Sequence, residues 1–112
     1  MSAADAARDR ARSLPQVSAA PLARDEAERL SRVLKAISDP TRLQLLSMIA
    51  SSPGGEANVY DLTAPLGFSQ PTVSYHLRLL HEAGILNRTK RGTSSWYSID
   101  AERMAAVKEL LS

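Results

Sequence analysis

Residues 67–84, GFSQPTVSYHLRLLHEAG, limit the fold of this chain more than any other stretch, because they predict an amphipathic helix. Ser69 is a good N-cap, and Pro71 falls in the first turn, where a missing backbone N–H costs nothing. Apolar residues recur at i, i+4 and i+7 and form one stripe: Val73, Leu77 and Leu80. Gly84 follows as a typical helix stop, so this helix is short and has a single buried face.

The other side of this helix carries hydroxyl groups and one cation, where an ordinary surface helix would more often mix Glu with Lys. Such a face indicates hydrogen bonding to a polar partner. A shorter helix is predicted at residues 59–66, and residues 67–69 between the two fit a tight turn. Two helices joined by a short glycine-containing turn form a helix-turn-helix, whose second helix lies in the major groove of DNA.

Helical and strand periods on either side of this unit predict the rest of the fold. We predict five further elements: helices at 23–37, 40–51 and 101–111, and strands at 85–90 and 94–99. Asp39 caps the second helix, whose buried face is marked by Leu43, Leu46 and Ile49. Residues 56–59 are compatible with a short extended piece. The two strands form a hairpin around Arg91-Gly92-Thr93, so the predicted fold is mainly α with a small β-hairpin, a winged helix-turn-helix of order α-α-α-α-β-β-α.

The first and last predicted helices carry more apolar surface than a domain of this size can cover alone. We therefore expect them to pair across a two-fold axis and to make the protein a homodimer. Residues 1–22 show no clear apolar face and are predicted to be a mobile N-terminal arm. The chain thus divides into this arm and a DNA-binding and dimerisation domain at 23–112.

The positive charge is concentrated where DNA would be met. The net charge is only +2, but residues 69–99 contain four Lys or Arg against Glu82 as the single acid. Cysteine is absent, and no run approaches the roughly 18 apolar residues of a membrane span, so we expect a cytoplasmic protein without disulfides. No paired carboxylates, glycine-rich phosphate loop or nucleophile partner for a histidine is recognisable, which argues against an enzyme.

Three strings together resemble the ArsR/SmtB family of winged helix-turn-helix regulators: LKAISDPTRLQLLSMI at 34–49, GFSQPTVSYHLRLLHEAGIL at 67–86 and WYSID at 96–100. The resemblance covers residues 23–112. It implies a dimeric bacterial repressor, or occasionally an activator, that binds an inverted-repeat operator. Most members release DNA when they bind a metal or metalloid ion.

The resemblance also implies which residues touch DNA. The recognition-helix and wing positions that match the family are Ser69, Gln70, Thr72, Ser74, Tyr75, Arg78, Lys90 and Arg91. Among these, Gln70 and Tyr75 suit base reading, because an amide bonds bidentately to adenine and a phenol can donate or accept. Ser69, Thr72, Arg78 and the wing cations suit phosphate contacts.

The family's metal sites are missing from this sequence. Asn58 and Tyr60 stand where one family site has two thiolates, and Ala101 and Arg103 stand where another has an Asp and a His. His76 and His81 remain as weak metal candidates, and their spacing on a regular helix does not let both bind one ion. The effector is therefore either nickel or zinc at a site unlike the family's, a small molecule, or a regulatory protein. A winged-helix module for protein association, without DNA binding, is the alternative function.

Overall fold

The computed structural model describes residues 21–111, with side chains as far as Glu109. The elements, in chain order, are α1 (Arg24–Ile37), α2 (Pro40–Ser51), a 3-10 turn (Pro53–Gly55), β1 (Glu56–Asn58), α3 (Val59–Leu66), α4 (Gln70–Glu82), β2 (Leu86–Arg91), β3 (Ser94–Ile99) and α5 (Ala101–Leu111). The predicted winged helix-turn-helix is confirmed, and the extended piece before α3 is a third strand. The predicted arm at 1–22 lies outside the described residues except for its last two.

Helices α2, α3 and α4 each begin with a side chain that caps the first turn. The side chains of Asp39, Asn58 and Ser69 accept hydrogen bonds from backbone N–H groups in the first turns of α2, α3 and α4, respectively. The N–H of Arg42 lies 3.1 Å from Asp39 Oδ2 and lowers the pKa of that carboxyl below its usual value. Each helix start is therefore fixed by its own sequence.

The core lies between α4 and the surrounding helices and sheet. Val73, Leu77 and Leu80 are all 0% exposed, so the predicted stripe of α4 is confirmed. The prediction for α2 was wrong at Leu43, which is 50% exposed, while Leu45 is buried. Leu45, Leu46 and Ile49 share one side of α2, and Leu43 lies about 110° from its middle, since each residue turns the helix by about 100°.

The sheet is antiparallel with the strand order β1-β3-β2. Arg91 pairs with Ser94, so the connection between β2 and β3 has two residues, not the predicted three. Gly92 has φ +61°, which suits the first position of a type II′ turn. The register places Ala57 and Arg88 on either side of Tyr97 in the middle strand.

Among residues 21–111, no helix combines the length and the apolar character needed to span a bilayer. The side chains of Leu110 and Leu111, at the end of the last helix, lie outside the described part.

Candidate nucleic-acid interface

Burial of its apolar stripe orients α4 so that its polar side faces outward. Ser69, Gln70 and Thr72 are exposed at its start, and Ser74 is half-buried. The hydroxyl of Ser69 is engaged within the helix, since it accepts from the Thr72 N–H and lies 2.9 Å from Thr72 Oγ1. Ser69 thus acts as the cap of α4, whether or not it also meets a phosphate.

Tyr75 and Arg78 form the centre of the exposed side of α4. Tyr75 is 48% exposed, and the guanidinium of Arg78 lies 5.5 Å from the centre of its ring. Arg78 Nε is also 3.8 Å from Glu82 Oε1, but both side chains are more than 60% exposed. An ion pair so open to water is weak, so Arg78 can exchange its carboxylate partner for another anion.

A cleft of about 460 Å³ separates α4 from the wing formed by β2 and β3. One wall includes Gln70, Tyr75 and Arg78, and the other includes Arg88 and Ser95. The residues that line it include two guanidinium groups and no carboxylate. A cleft with cations on both walls favours an anionic occupant.

Arg88 lines the cleft, although it is not among the DNA contacts predicted from the sequence. Its Nε and Nη2 lie 3.4 and 3.2 Å from Ser95 Oγ on the neighbouring strand, and both donate to it. Side chains alternate along a strand, so Arg88 and Lys90 share the face of β2 on which Leu86 is buried. The i, i+2 spacing of Arg88 and Lys90 is the sequence signal that identifies Arg88 as a residue on the same face of the wing as Lys90.

Arg91 belongs to the other face of the wing. Its Nη1 and Nη2 donate to the two carboxylate oxygens of Glu56 at 2.8 and 2.7 Å, and its guanidinium lies 4.8 Å from the ring centre of Trp96. These hydrogen bonds lower the pKa of Glu56 and raise that of Arg91. The structure therefore separates Arg91 from Lys90, although the family resemblance predicts that both are DNA contacts of the wing.

The two histidines have different partners. His76 Nδ1 is 3.1 Å from Arg42 Nη1, whereas His81 Nδ1 is 3.0 Å from the carbonyl oxygen of Leu86. Within 21–111, no three His, Asp or Glu side chains lie close enough together to hold a metal ion. The described residues thus do not bring His76 and His81 into one site.

Comparison with known proteins places this geometry in a family. The family model described as bacterial regulatory protein, arsR family, matches residues 39–88, which run from the cap of α2 into the wing. An HTH-type transcriptional regulator of Methanocaldococcus jannaschii is 36% identical over 84 residues, which are 75% of this chain and 92% of that protein. The chain belongs to the arsR family.

Two further similar proteins are a repressor and a homodimeric DNA-binding domain. The arsenical resistance operon repressor of Staphylococcus xylosus is 33% identical over 82 residues, covering 73% of this chain and 76% of that one. The solution structure of a homodimeric winged helix-turn-helix DNA-binding domain from Mycobacterium bovis superposes with a TM-score of 0.64. It is 28% identical and covers 83% of this chain and 88% of that one. The relatives are transcriptional regulators.

The metal-binding residues that the arsR resemblance implies do not fit this chain. The Asn58 side chain caps α3, accepting from the Asp61 N–H at 2.8 Å, and Tyr60 is 78% exposed beside it. A capping amide and a phenol replace the two thiolates, so the start of α3 lacks the soft ligands of that site.

Proposed function

We propose that this arsR-family protein is a transcriptional repressor, not an enzyme, and that it binds an inverted-repeat operator as a homodimer in the cytoplasm. The observation that carries the proposal is the cleft between α4 and the wing, with Arg78 and Arg88 on opposite walls and no carboxylate in its lining. A DNA strand is the anion that fits a cationic groove beside an exposed, hydrogen-bonding helix face.

In this arrangement α4 enters the major groove and the wing covers the adjacent backbone. Gln70 and Tyr75 read base edges, since both lie on the outer side of α4. The phosphate contacts come from three hydroxyls and two cations: the hydroxyls of Ser69, Thr72 and the half-buried Ser74, and the charges of Arg78 and Lys90. The cleft holds the backbone between the two grooves, and this adds Arg88 to the phosphate ligands.

The dimer presents two copies of α4 to the operator. A shallow apolar groove of about 100 Å³ runs between α1 and α5, with Leu30, Val33 and Val107 in its lining. A second copy of the chain packed on this side would cover it, and the Mycobacterium bovis relative supports this because it is homodimeric. Two-fold symmetry then requires half-sites spaced by about 10 bp or a multiple of it.

Salt dependence of operator binding tests this proposal. Each phosphate contact contributes about −0.9 to the slope of log K against log salt, so the wild-type slope is steep. R78Q removes one contact per protomer and reduces the slope by about 1.8 per dimer. R24Q is the matched control, because Arg24 lies at the start of α1 with its side chain 89% exposed, outside the cleft. A slope of zero in the wild type, or activity of R78E equal to the wild type, would favour the protein-association module instead.

Control of DNA binding requires an effector that binds one arrangement of the two α4 helices more tightly than another. The candidates for it are a nickel or zinc ion, a small molecule, or a regulatory protein. His81 supports an ion in one respect: its Nδ1 donates to the Leu86 carbonyl, which fixes the ring and leaves Nε2 as the nitrogen that could meet an ion, as in metal-binding histidines. The further ligands would have to come from the partner copy or from residues outside 21–111.

Calorimetric titration with nickel and with zinc, each with and without operator DNA, tests the ion. Linkage requires an ion that weakens DNA binding to bind less tightly when DNA is present. The same ion affinity in both titrations would exclude the ion as an effector and leave a small molecule or the regulatory protein.

A further inference from the structure

We propose that Arg91 is a positioning residue of the wing rather than a phosphate ligand, and that Glu56 is the group that holds it. This inference rests on the proposed DNA-binding function and concerns how the wing is placed for it. It reassigns Arg91, which the family resemblance places among the DNA contacts.

The contact between Arg91 and Glu56 spans the whole sheet. Glu56 is the first residue of β1 at one edge, and Arg91 is the last residue of β2 at the other, with β3 between them. The guanidinium makes two parallel N–H···O bonds and lies over Trp96 of the middle strand. A bidentate pair of this kind has a specific geometry. It therefore fixes both the direction of the Arg91 side chain and the position of its charge.

The face on which this contact lies argues against a role in binding phosphate. Trp96 precedes Tyr97 in β3, and Tyr97 is buried in the core and pairs with Arg88, which lines the cleft. Alternation therefore places Trp96, Arg91 and Glu56 on the opposite face of the sheet. Arg88 and Lys90 remain on the cleft side. DNA held in the cleft meets Arg88 first, while the charge of Arg91 is already neutralised on the other side.

The outer half of the wing needs such a support because little else holds it. β1 pairs with β3 only as far as Asn58 opposite Trp96, so beyond that point the hairpin is a two-stranded ribbon. Residues 87–94 are exposed and add nothing to the core. Isolated two-stranded ribbons are marginally stable in water. The Arg91 side chain joins the end of this ribbon to the three-stranded part of the sheet.

Trp96 provides a direct readout, because it is the only tryptophan in the chain. In the absence of DNA, R91Q and E56Q should change the emission of Trp96 and increase its quenching by acrylamide, since both break the contact that covers the ring. R88Q, which acts on the opposite face, is the matched control and should leave Trp96 emission unchanged. The charge-reversed pair E56R/R91E should restore protection from acrylamide, because the bidentate pair can form in the other direction.

Operator binding then separates positioning from phosphate contact. E56Q and R91Q should each weaken binding about threefold, as expected for loss of one exposed ion pair, with an unchanged salt slope. R88Q should reduce the slope by about 1.8 per dimer. E56R/R91E should recover most of the wild-type affinity.

Two results would overturn the inference: a fall of the R91Q slope equal to that of R88Q, or an E56Q protein that binds DNA more tightly because Arg91 is released to a phosphate. Failure of the DNA-binding function itself would look different. In that case the wild type and R88Q would show no salt-dependent binding at all, while the Trp96 measurements would still respond to E56Q.

Discussion

His76 Nδ1 accepts a hydrogen bond from Arg42 Nη1 at 3.1 Å. A guanidinium can only donate, so the imidazole keeps its proton on Nε2 and is neutral in this contact. The same guanidinium donates through Nε to the carbonyl oxygen of Ala36, at 2.5 Å, near the end of α1. One side chain in the first turn of α2 therefore ties the DNA-reading helix to the helix that we propose for dimerisation.

Replacing His76 tests the strength of this tie. H76L introduces an apolar side chain of similar size and leaves Arg42 Nη1 without its acceptor, while Nε keeps the Ala36 carbonyl. We expect it to lower the free energy of unfolding by about 1 to 2 kcal/mol, as for loss of a partly buried hydrogen bond to a charged group. H76N, whose amide oxygen takes the place of Nδ1, should recover part of that loss. Urea denaturation measures both, and an H76L protein as stable as the wild type would show that the contact contributes nothing.

The same substitution at two leucines tests which of them belongs to the core. Leu77 of α4 is 0% exposed, whereas Leu43 of α2 is 50% exposed. L77A should lower the free energy of unfolding by about 2 to 5 kcal/mol, because it removes buried methyl groups and leaves a cavity. L43A should lower the free energy of unfolding by less than about 1 kcal/mol, as is usual for an exposed position. Equal losses in thermal or urea unfolding would contradict the burial of α2 described above.

Acid stability should reflect the two carboxylates whose pKa values are lowered. Arg91 lowers the pKa of Glu56 from 4.5, and the Arg42 N–H lowers that of Asp39 from 3.8. Their folded pKa values lie below the unfolded ones, so their contribution is complete above about pH 4.5 and is lost as the pH falls through the folded values. Urea midpoints measured from pH 7 to pH 3 should therefore fall in the acid range. In E56Q the urea midpoint should decrease less at the higher-pH end of the acid range. A pH profile of E56Q identical to that of the wild type would contradict the ion pair.

The sequence predicted the parts of this molecule that depend on local signals. Caps at Asp39 and Ser69 and the stripe of α4 are readable because each is set within one helix. The face of Arg91 was not predicted, because it depends on the length of the turn at Gly92: one more residue in the turn would end β2 at Lys90. The contact of His76 with Arg42 joins residues 34 apart in the chain, and no periodic pattern reports it.

Tyr75 and Arg78 lie side by side on α4, but we expect Tyr75 to read a base and Arg78 to bind a phosphate. Substitutions at the two positions should therefore have different effects. Y75F removes only the hydroxyl and keeps the ring, which lies 5.5 Å from the Arg78 guanidinium, so the arginine retains its support. If the hydroxyl contacts a base edge, Y75F loses about 1 to 3 kcal/mol of discrimination at one base pair in each half-site and little affinity elsewhere. R78Q should instead weaken binding to all sequences about equally, because a phosphate carries no sequence information. Binding of both variants to an operator library with every single-base substitution distinguishes the two roles. A Y75F profile that weakens uniformly would make Tyr75 a backbone contact and leave Gln70 as the base reader.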